Sequence, residues 1–218
     1  MPARGFYVAI EGPCCAGKTT LGDGLFMRLS STEGLVLYVQ DYSDFVGGGC
    51  FLPRAVPATL EEETQALRTF LALEEARTAK ARAVRHSGPM VIIDRSVYTL
   101  YAHCHALTEI TGIDYNAVAS AVLDDTRVPL RPDLVLYVDI DIATAQSRNN
   151  GKFPADSIFI DRQFNLGIRR YFQSLAGGGH PTVAWLDGTA GATLLLEAAM
   201  SHLRQRSATD SDSEEEEA

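Results

Sequence analysis

Eight residues, Gly12-Pro13-Cys14-Cys15-Ala16-Gly17-Lys18-Thr19, restrict what this chain can fold into more than any other stretch. They fit the spacing G-x-x-x-x-G-K-[ST]. Backbone of that kind turns around an anion with its N–H groups pointing inward, and glycine stands where a side chain would intrude. Such a loop has meaning only between a strand and a helix. The apolar run Phe6–Ile10 precedes it, and Thr20-Leu21 opens a helical stretch behind it. The helix then begins with its positive dipole end at the anion. Gly12 through Thr20 are therefore the candidate phosphate cradle. Lys18 is the cation that reaches the β- and γ-phosphates, and the Thr19 hydroxyl is a ligand for Mg²⁺.

A strand–loop–helix start makes the remaining apolar runs easier to read. Leu35–Val39, Met90–Ile93, Leu134–Val138 and Val183–Leu186 are short, rich in valine, isoleucine, leucine and tyrosine, and barely alternate. Strands covered on both faces read this way. Segments long enough for crossover helices separate them, so a five-stranded parallel sheet in a three-layer α/β/α sandwich is predicted. Thr59-Leu60-Glu61-Glu62 is a capping box that starts a helix running to about His86, where Ser87-Gly88-Pro89 stops it. Gly112 ends a later helix, Asp114 can cap the next, and Gly177-Gly178-Gly179 closes another. Gln40 to Ala58 has no clear periodicity and is expected to be a functional loop.

Two further stretches carry chemistry. Val91-Ile92-Ile93-Asp94 ends an apolar strand in a carboxylate, which places Asp94 at the sheet edge where doubly wound folds bind ligands. Asp94 can hold Mg²⁺, or it can simply cap the helix that follows. Arg95 can stabilise charge between two phosphoryl groups. Arg148-Asn149-Asn150-Gly151-Lys152-Phe153-Pro154 lies between helical segments, and Gly151 and Pro154 argue for a loop. It suits a short lid that brings cations to a transferring phosphate, with Arg148 and Lys152 as candidates and Arg162 and Arg169 as weaker ones.

Composition excludes other classes. The chain of 218 residues has a net charge of −9, and six of its 28 acids lie between Ser207 and Ala218 with no base among them. The remaining 22 acids face 19 bases, a net of −3. That balance argues against general nucleic-acid binding, which needs a basic surface. No apolar run approaches a membrane span. Met1 to Ile10 does not read as a signal peptide. Cys14, Cys15, Cys50 and Cys104 show no zinc spacing, and free thiols in the cytoplasm are expected. His103 and His105, two apart on one helix, are a poor metal pair. The expected organisation is one domain over residues 1–206 and a disordered acidic tail over 207–218.

In four stretches the chain resembles the thymidylate kinase and deoxynucleoside kinase group of P-loop kinases. The first is Ile10-Glu11-Gly12 through Thr20, similar to the group's EG-x-x-x-x-GK[ST]T loop. The second is Phe70-Leu71-Ala72-Leu73-Glu74-Glu75-Ala76-Arg77, similar to a helix ending in A-[AD]-R. The third, Asp94-Arg95-Ser96-Val97-Tyr98-Thr99, resembles both DR-x-x-x-S and ERS-x-Y-S. The fourth is Leu136-Tyr137-Val138-Asp139-Ile140-Asp141, then Arg148, then Arg169-Arg170-Tyr171.

The resemblance implies a P-loop NTPase fold, ATP as donor with Mg²⁺, and a nucleotide or nucleoside acceptor, with a homodimer left open. It places Lys18, Asp94, Arg95 and Arg148 in the phosphoryl transfer, and puts Glu74, Arg77, Arg95 and Tyr98 at the acceptor. The helix pattern agrees, since Glu74 and Arg77 continue the face of Leu60, Leu67, Phe70 and Leu71. Two places depart from the group. Cys14 stands where thymidylate kinases usually carry an acid. Gln40-Asp41-Tyr42 stands for their Arg-Glu-Pro, whose arginine holds the acceptor's monophosphate. Arg54 is a candidate replacement, and Asp41 fits the general base of deoxynucleoside kinases. dTMP, a related pyrimidine nucleotide and an unphosphorylated nucleoside all stay open as acceptors. A nucleotide-gated switch would carry D-x-x-G after the third strand. This chain reads Asp94-Arg95-Ser96-Val97, which favours a kinase.

Overall fold

The computed structural model describes residues 5–32, 35–46, 56–84, 88, 90–124, 130–179 and 181–215, with side chains as far as residue 205. Five strands form one sheet: β1 (Tyr7–Glu11), β2 (Val36–Val39), β3 (Met90–Asp94), β4 (Leu134–Asp139) and β5 (Thr182–Asp187). Their order is β2-β3-β1-β4-β5 and every pair is parallel. Each strand falls where an apolar run predicted it. Four of the five strands end one residue later than expected, on Glu11, Asp94, Asp139 and Asp187. These acids cluster at one edge of the sheet, with Ile10 in register with Asp94 and Glu11 with Tyr137.

The helices are α1 (Lys18–Ser30), α2 (Tyr42–Phe45), α3 (Leu60–Ala83), α4 (Val97–Thr111), α5 (Tyr115–Leu123), α6 (Ile142–Ser147), α7 (Arg162–Gly177) and α8 (Ala192–Glu215). A 3-10 turn, Ile158–Ile160, precedes α7. Successive strand residues feed opposite faces. Val8 and Ile10 of β1 pack with Leu21 and Leu25 of α1 and Ala199 and Leu203 of α8. Tyr7 packs with Ala81 of α3, and Ala9 with Tyr98 and Ala102 of α4 and Phe172 of α7. Both faces are thus covered, which is why the strands do not alternate in polarity. Outside the sheet, α3, α4, α5 and α7 share a second apolar cluster around Leu67, Phe70, Leu100, Leu107 and Phe164.

Local chemistry sets the ends. Thr59 accepts a hydrogen bond from the Glu62 amide at 3.1 Å, and Glu62 reaches back to the Ala58 amide at 2.7 Å. Gly112 ends α4 in the left-handed region at φ 74°, and the Asp114 side chain caps α5. α3 ends at Ala83, three residues before the expected stop. The expected loop from Gln40 to Ala58 contains the short helix α2, because the Asp41 side chain accepts from the Ser43 amide and caps it. Residues 47–55 of that stretch lie outside the described residues. The compositional boundary at residue 206 falls inside α8.

Candidate active site

β1 stands between β3 and β4, where the strand order reverses, and a crevice opens at its C-terminal end. The loop from Gly12 to Gly17 turns there. Gly12 has φ 135°, and a Cβ on it would stand 2.3 Å from the Val138 carbonyl oxygen. Gly17 caps α1 at φ 94° with no side-chain cap bond, so the first amides of α1 have no side chain across them. Cys15 and Arg95 are non-glycine residues at φ 63°, a conformation that costs about 1–3 kcal/mol and concentrates at functional sites.

Lys18 is buried, and its Nζ donates to the Pro13 carbonyl at 2.7 Å, across its own loop. Burial holds its pKa below the usual lysine value, and the neighbouring Arg95 adds to that. Thr19 Oγ1 donates to Asp94 Oδ2 at 2.8 Å, and the Tyr38 hydroxyl approaches the same oxygen at 3.4 Å. Asp94 Oδ1 is buried with no hydrogen-bond partner. Burial pushes the Asp94 carboxyl up, against the pull of Lys18. Ser96, not Asp94, caps α4, so the capping alternative for Asp94 falls away. Among the described residues no three His, Cys, Asp or Glu side chains cluster as a metal site. An orphaned carboxylate oxygen beside a hydroxyl fits a hard cation that takes its other ligands from water and phosphate, which is how Mg²⁺ binds.

Arg95 reaches over the loop. Its Nε donates to Asp41 Oδ2 at 3.1 Å, and its two terminal nitrogens approach the Gly12 carbonyl at 3.4 Å and the Cys14 sulfur at 3.6 Å. Burial would lower the Arg95 pKa, but Asp41 and the acids behind it hold it raised, so the guanidinium is charged. Burial likewise opposes ionisation of Asp41, and Arg95 and Lys18 overcome it, so the carboxyl lies below the usual aspartate value.

Around this centre lies a cavity of about 560 Å³. Gly12, Pro13, Cys14, Cys15, Gly17, Lys18, Thr19, Thr20, Asp41 and Arg95 line it, as do Arg148 and Lys152 of the expected lid. Arg148 also donates to the Gly188 carbonyl at 2.9 Å, which ties the lid to the end of β5. Ala16 is buried beneath the loop. Arg162 and Arg169 do not line the cavity, and Arg169 instead pairs with Asp139 at 2.7 Å.

Three expected acceptor residues do not reach it. Arg77 Nε donates to Glu74 Oε2 at 2.7 Å. Its other nitrogens donate to the carbonyls of Gln40 at 2.7 Å, Asp94 at 3.2 Å and Arg95, and its guanidinium lies 3.9 Å from the centre of the Tyr42 ring. Arg77 and Glu74 are therefore a buried brace that ties α3 to the chain leaving β2 and β3. Helical spacing shows which face a residue is on. It cannot show that exposed strand-end carbonyls lie opposite that face. Tyr98 packs between Ala9, Ala102, Tyr137 and Phe172 behind the sheet. Arg54 lies outside the described residues.

The cavity also has residues that were given no place at it from the sequence. Leu67, Phe70, Leu100, Phe153, Phe159 and Phe164 make an apolar wall, and Glu63 and His103 are polar members of it. Glu63 and His103 did carry a signal. Each sits on the apolar stripe of its own helix, Glu63 four residues before Leu67 and His103 between Leu100 and Leu107. Glu11, to which the sequence assigned no role of its own, is buried and accepts from the Ser96 amide at 2.8 Å, the Ser96 hydroxyl at 2.7 Å and the Thr99 hydroxyl at 2.5 Å. It fastens the start of α4 to β1.

Known proteins share this arrangement of strand, loop and helix. No protein-family model matches the chain. A probable thymidylate kinase from Thermoplasma acidophilum is 27% identical over 176 residues, covering 77% of this chain and 82% of that protein. A thymidylate kinase from a Bradyrhizobium species is 26% identical over 198 residues, covering 87% and 85%. Among solved structures, a thymidylate kinase from Candida albicans superposes with a TM-score of 0.66 at 18% identity, covering 94% of this chain and 93% of that one. A deoxyadenosine kinase from M. mycoides superposes with a TM-score of 0.65 at 15% identity, covering 92% and 100%. In sequence the chain is similar to thymidylate kinases, and in fold to a thymidylate kinase and a deoxyadenosine kinase.

Proposed function

We propose that the protein transfers the γ-phosphoryl group of ATP to the 5′-phosphate of a pyrimidine nucleoside monophosphate of the dTMP class. One observation carries this reading. A single cavity is lined both by the phosphate loop, Arg95, Arg148 and Lys152 and by an apolar wall that includes Phe70 and Phe164. Phosphates belong to the first and a sugar and base to the second. The relatives named thymidylate kinase support the acceptor class.

The roles follow from charge and position. The loop amides and Lys18 hold the donor phosphates, exchanging the Pro13 carbonyl for a phosphate oxygen. Thr19 and Asp94 would hold Mg²⁺, which when bound neutralises charge on the β- and γ-oxygens. Arg95 stands between the loop and Asp41, positioned to stabilise charge that passes between two phosphoryl groups. Arg148 and Lys152 close the donor side and exclude water. The three free thiols among the described residues, two of them in the loop, suit the cytoplasm. No helix among the described residues is long and apolar enough to cross a membrane.

A second reading has its own observation. Asp41 is an ionised carboxylate on the cavity wall, and its neighbour Gln40 holds the place of the monophosphate-binding arginine. A carboxylate there repels a phosphate, but it can accept the proton of a nucleoside 5′-hydroxyl. A coupled assay with ATP and a panel of nucleosides and nucleoside monophosphates decides between them. Turnover of dTMP supports the first reading, turnover of thymidine alone establishes the second, and ATP hydrolysis without any phosphorylated acceptor overturns both. Asp41→Asn sharpens the choice, because loss of a base lowers kcat whereas loss of a repelling charge lowers KM for dTMP.

A further inference from the structure

We infer that Glu63 and His103 read the base of the acceptor: the Glu63 carboxylate accepts the ring N–H of a keto pyrimidine, and His103 Nε2 donates to the carbonyl beside it. This rests on the reading of the cavity as an acceptor site.

The placement comes first. α3 runs away from the sheet edge as its numbering falls. Arg77 is fixed against the strand-end carbonyls, and Glu63 is 14 residues earlier, about 21 Å along the helix axis. Phe70, Leu67 and Ala66 line the cavity between them. On α4, Ser96 is fastened to Glu11 at the end of β1, and His103 is seven residues further, about 10 Å away. Thr99 and Leu100 line the path. Both helices thus deliver a polar side chain to the end of the cavity remote from the phosphate loop, past apolar walls. Ligand sites for flat heterocycles are built in this way, with few polar groups and many apolar ones.

The His103 side chain is also incompletely bonded. His103 Nε2 is buried with no hydrogen-bond partner. Its nearest charged neighbour, Glu63 Oε1, is 3.8 Å away, beyond hydrogen-bond length. Phe164, with its ring centre 5.2 Å from that of His103 and nearly perpendicular, and Phe159, at 6.4 Å, hold the imidazole in place. The Glu63 side chain is 3% exposed, and Cys104 Sγ donates to its Oε1 at 3.4 Å. Burial without a partner is costly for a polar atom, so an orphan on a cavity wall marks where a ligand atom completes the bond.

Chemistry then selects the ligand. An ionised carboxylate only accepts, and a neutral imidazole can donate from Nε2. Burial pulls the His103 pKa down to about 4, so the ring is neutral at pH 7. An acceptor beside a donor complements adjacent N–H and C=O groups, as in the imide edge of thymine or uracil. Cytosine turns a bare ring nitrogen to the carboxylate and an amino group to the imidazole N–H, so both contacts become repulsive in the same register.

The test compares dTMP with its N3-methyl derivative, which lacks the ring N–H. Binding is measured by calorimetry and turnover by steady-state kinetics, on the full chain, for wild type, Glu63→Gln, Glu63→Ala and His103→Phe. Wild type should prefer dTMP by about ten- to a hundred-fold, the value of a hydrogen bond to a charged group. Glu63→Ala should bring that ratio to within about three-fold while the KM for ATP stays near wild type. Glu63→Gln keeps the shape, so a folded protein carries the same test, and it should gain affinity for dCMP. His103→Phe should weaken dTMP and its N3-methyl derivative together. Variants that keep the wild-type ratio, or a wild type that does not distinguish the two ligands, overturn the inference even if dTMP is phosphorylated. Discriminating binding without turnover would leave the base-reading pair standing and remove the kinase reading instead.

Discussion

Arg77 and His103 show how differently two buried polar residues can be used. Arg77 makes its bonds within the protein, to Glu74 and to three strand-end carbonyls. Arg77→Ala leaves Glu74 as a buried charge without its partner, a loss of about 3–5 kcal/mol. Denaturant unfolding should show that loss, and Arg77→Ala should change the KM for acceptor and for ATP alike. A normal unfolding midpoint with a raised acceptor KM alone would return Arg77 to the acceptor site. His103 makes its mark through pH. Its folded pKa, about 4, lies below the ordinary 6.5, so the unfolded chain binds more protons between those values. Stability is therefore full above about pH 6.5 and falls as pH drops toward 4, by roughly 3 kcal/mol in all. The raised pKa of Glu63 acts in the opposite sense. Unfolding free energies at pH 4.5, 5.5 and 7 should show a steeper fall for wild type than for His103→Phe, and parallel curves would refute the assignment.

Between elements, α4 and α7 approach closely at Gly167. A Cβ on Gly167 would stand 2.7 Å from the Ala106 Cα and 2.8 Å from its Cβ. Backbone cannot yield as a side-chain end can, so the helices must separate. Gly167→Ala should destabilise by about 1–3 kcal/mol in spite of alanine's better helix propensity. Because α4 carries His103 and α7 carries Phe164, the KM for acceptor should rise as well. An unchanged melting temperature would mean that the helices part freely. Some element ends were legible from a capping side chain, as at Thr59 and Asp114, or from a glycine that takes the left-handed region, as at Gly112. α2 was not legible, because one aspartate cap and four residues leave no periodicity to detect.

At the scale of the molecule, charge and fold separate cleanly. α8 contributes Leu195, Ala199, Met200 and Leu203 to the core, all before residue 206. Removing Ser207 to Ala218 takes the net charge from −9 to −3 and should leave the melting temperature and turnover nearly unchanged. A large fall in either would mean that the acidic segment docks on the body. The amino-acid sequence by itself determined the sheet, its parallel sense and the strand–loop–helix start that lines the cavity. Those depend on local patterns: apolar runs with helical spacers, and a loop whose spacing is its mechanism. Tertiary structure alone decided the rest. It turned Arg77 from a ligand contact into a brace, put Tyr98 behind the sheet and set Asp41 against Arg95. It also brought Glu63 and His103, 40 residues apart in the chain, to one wall. The physical reason is that a buried polar group is defined by what lies opposite it, and that is fixed only when separate helices pack.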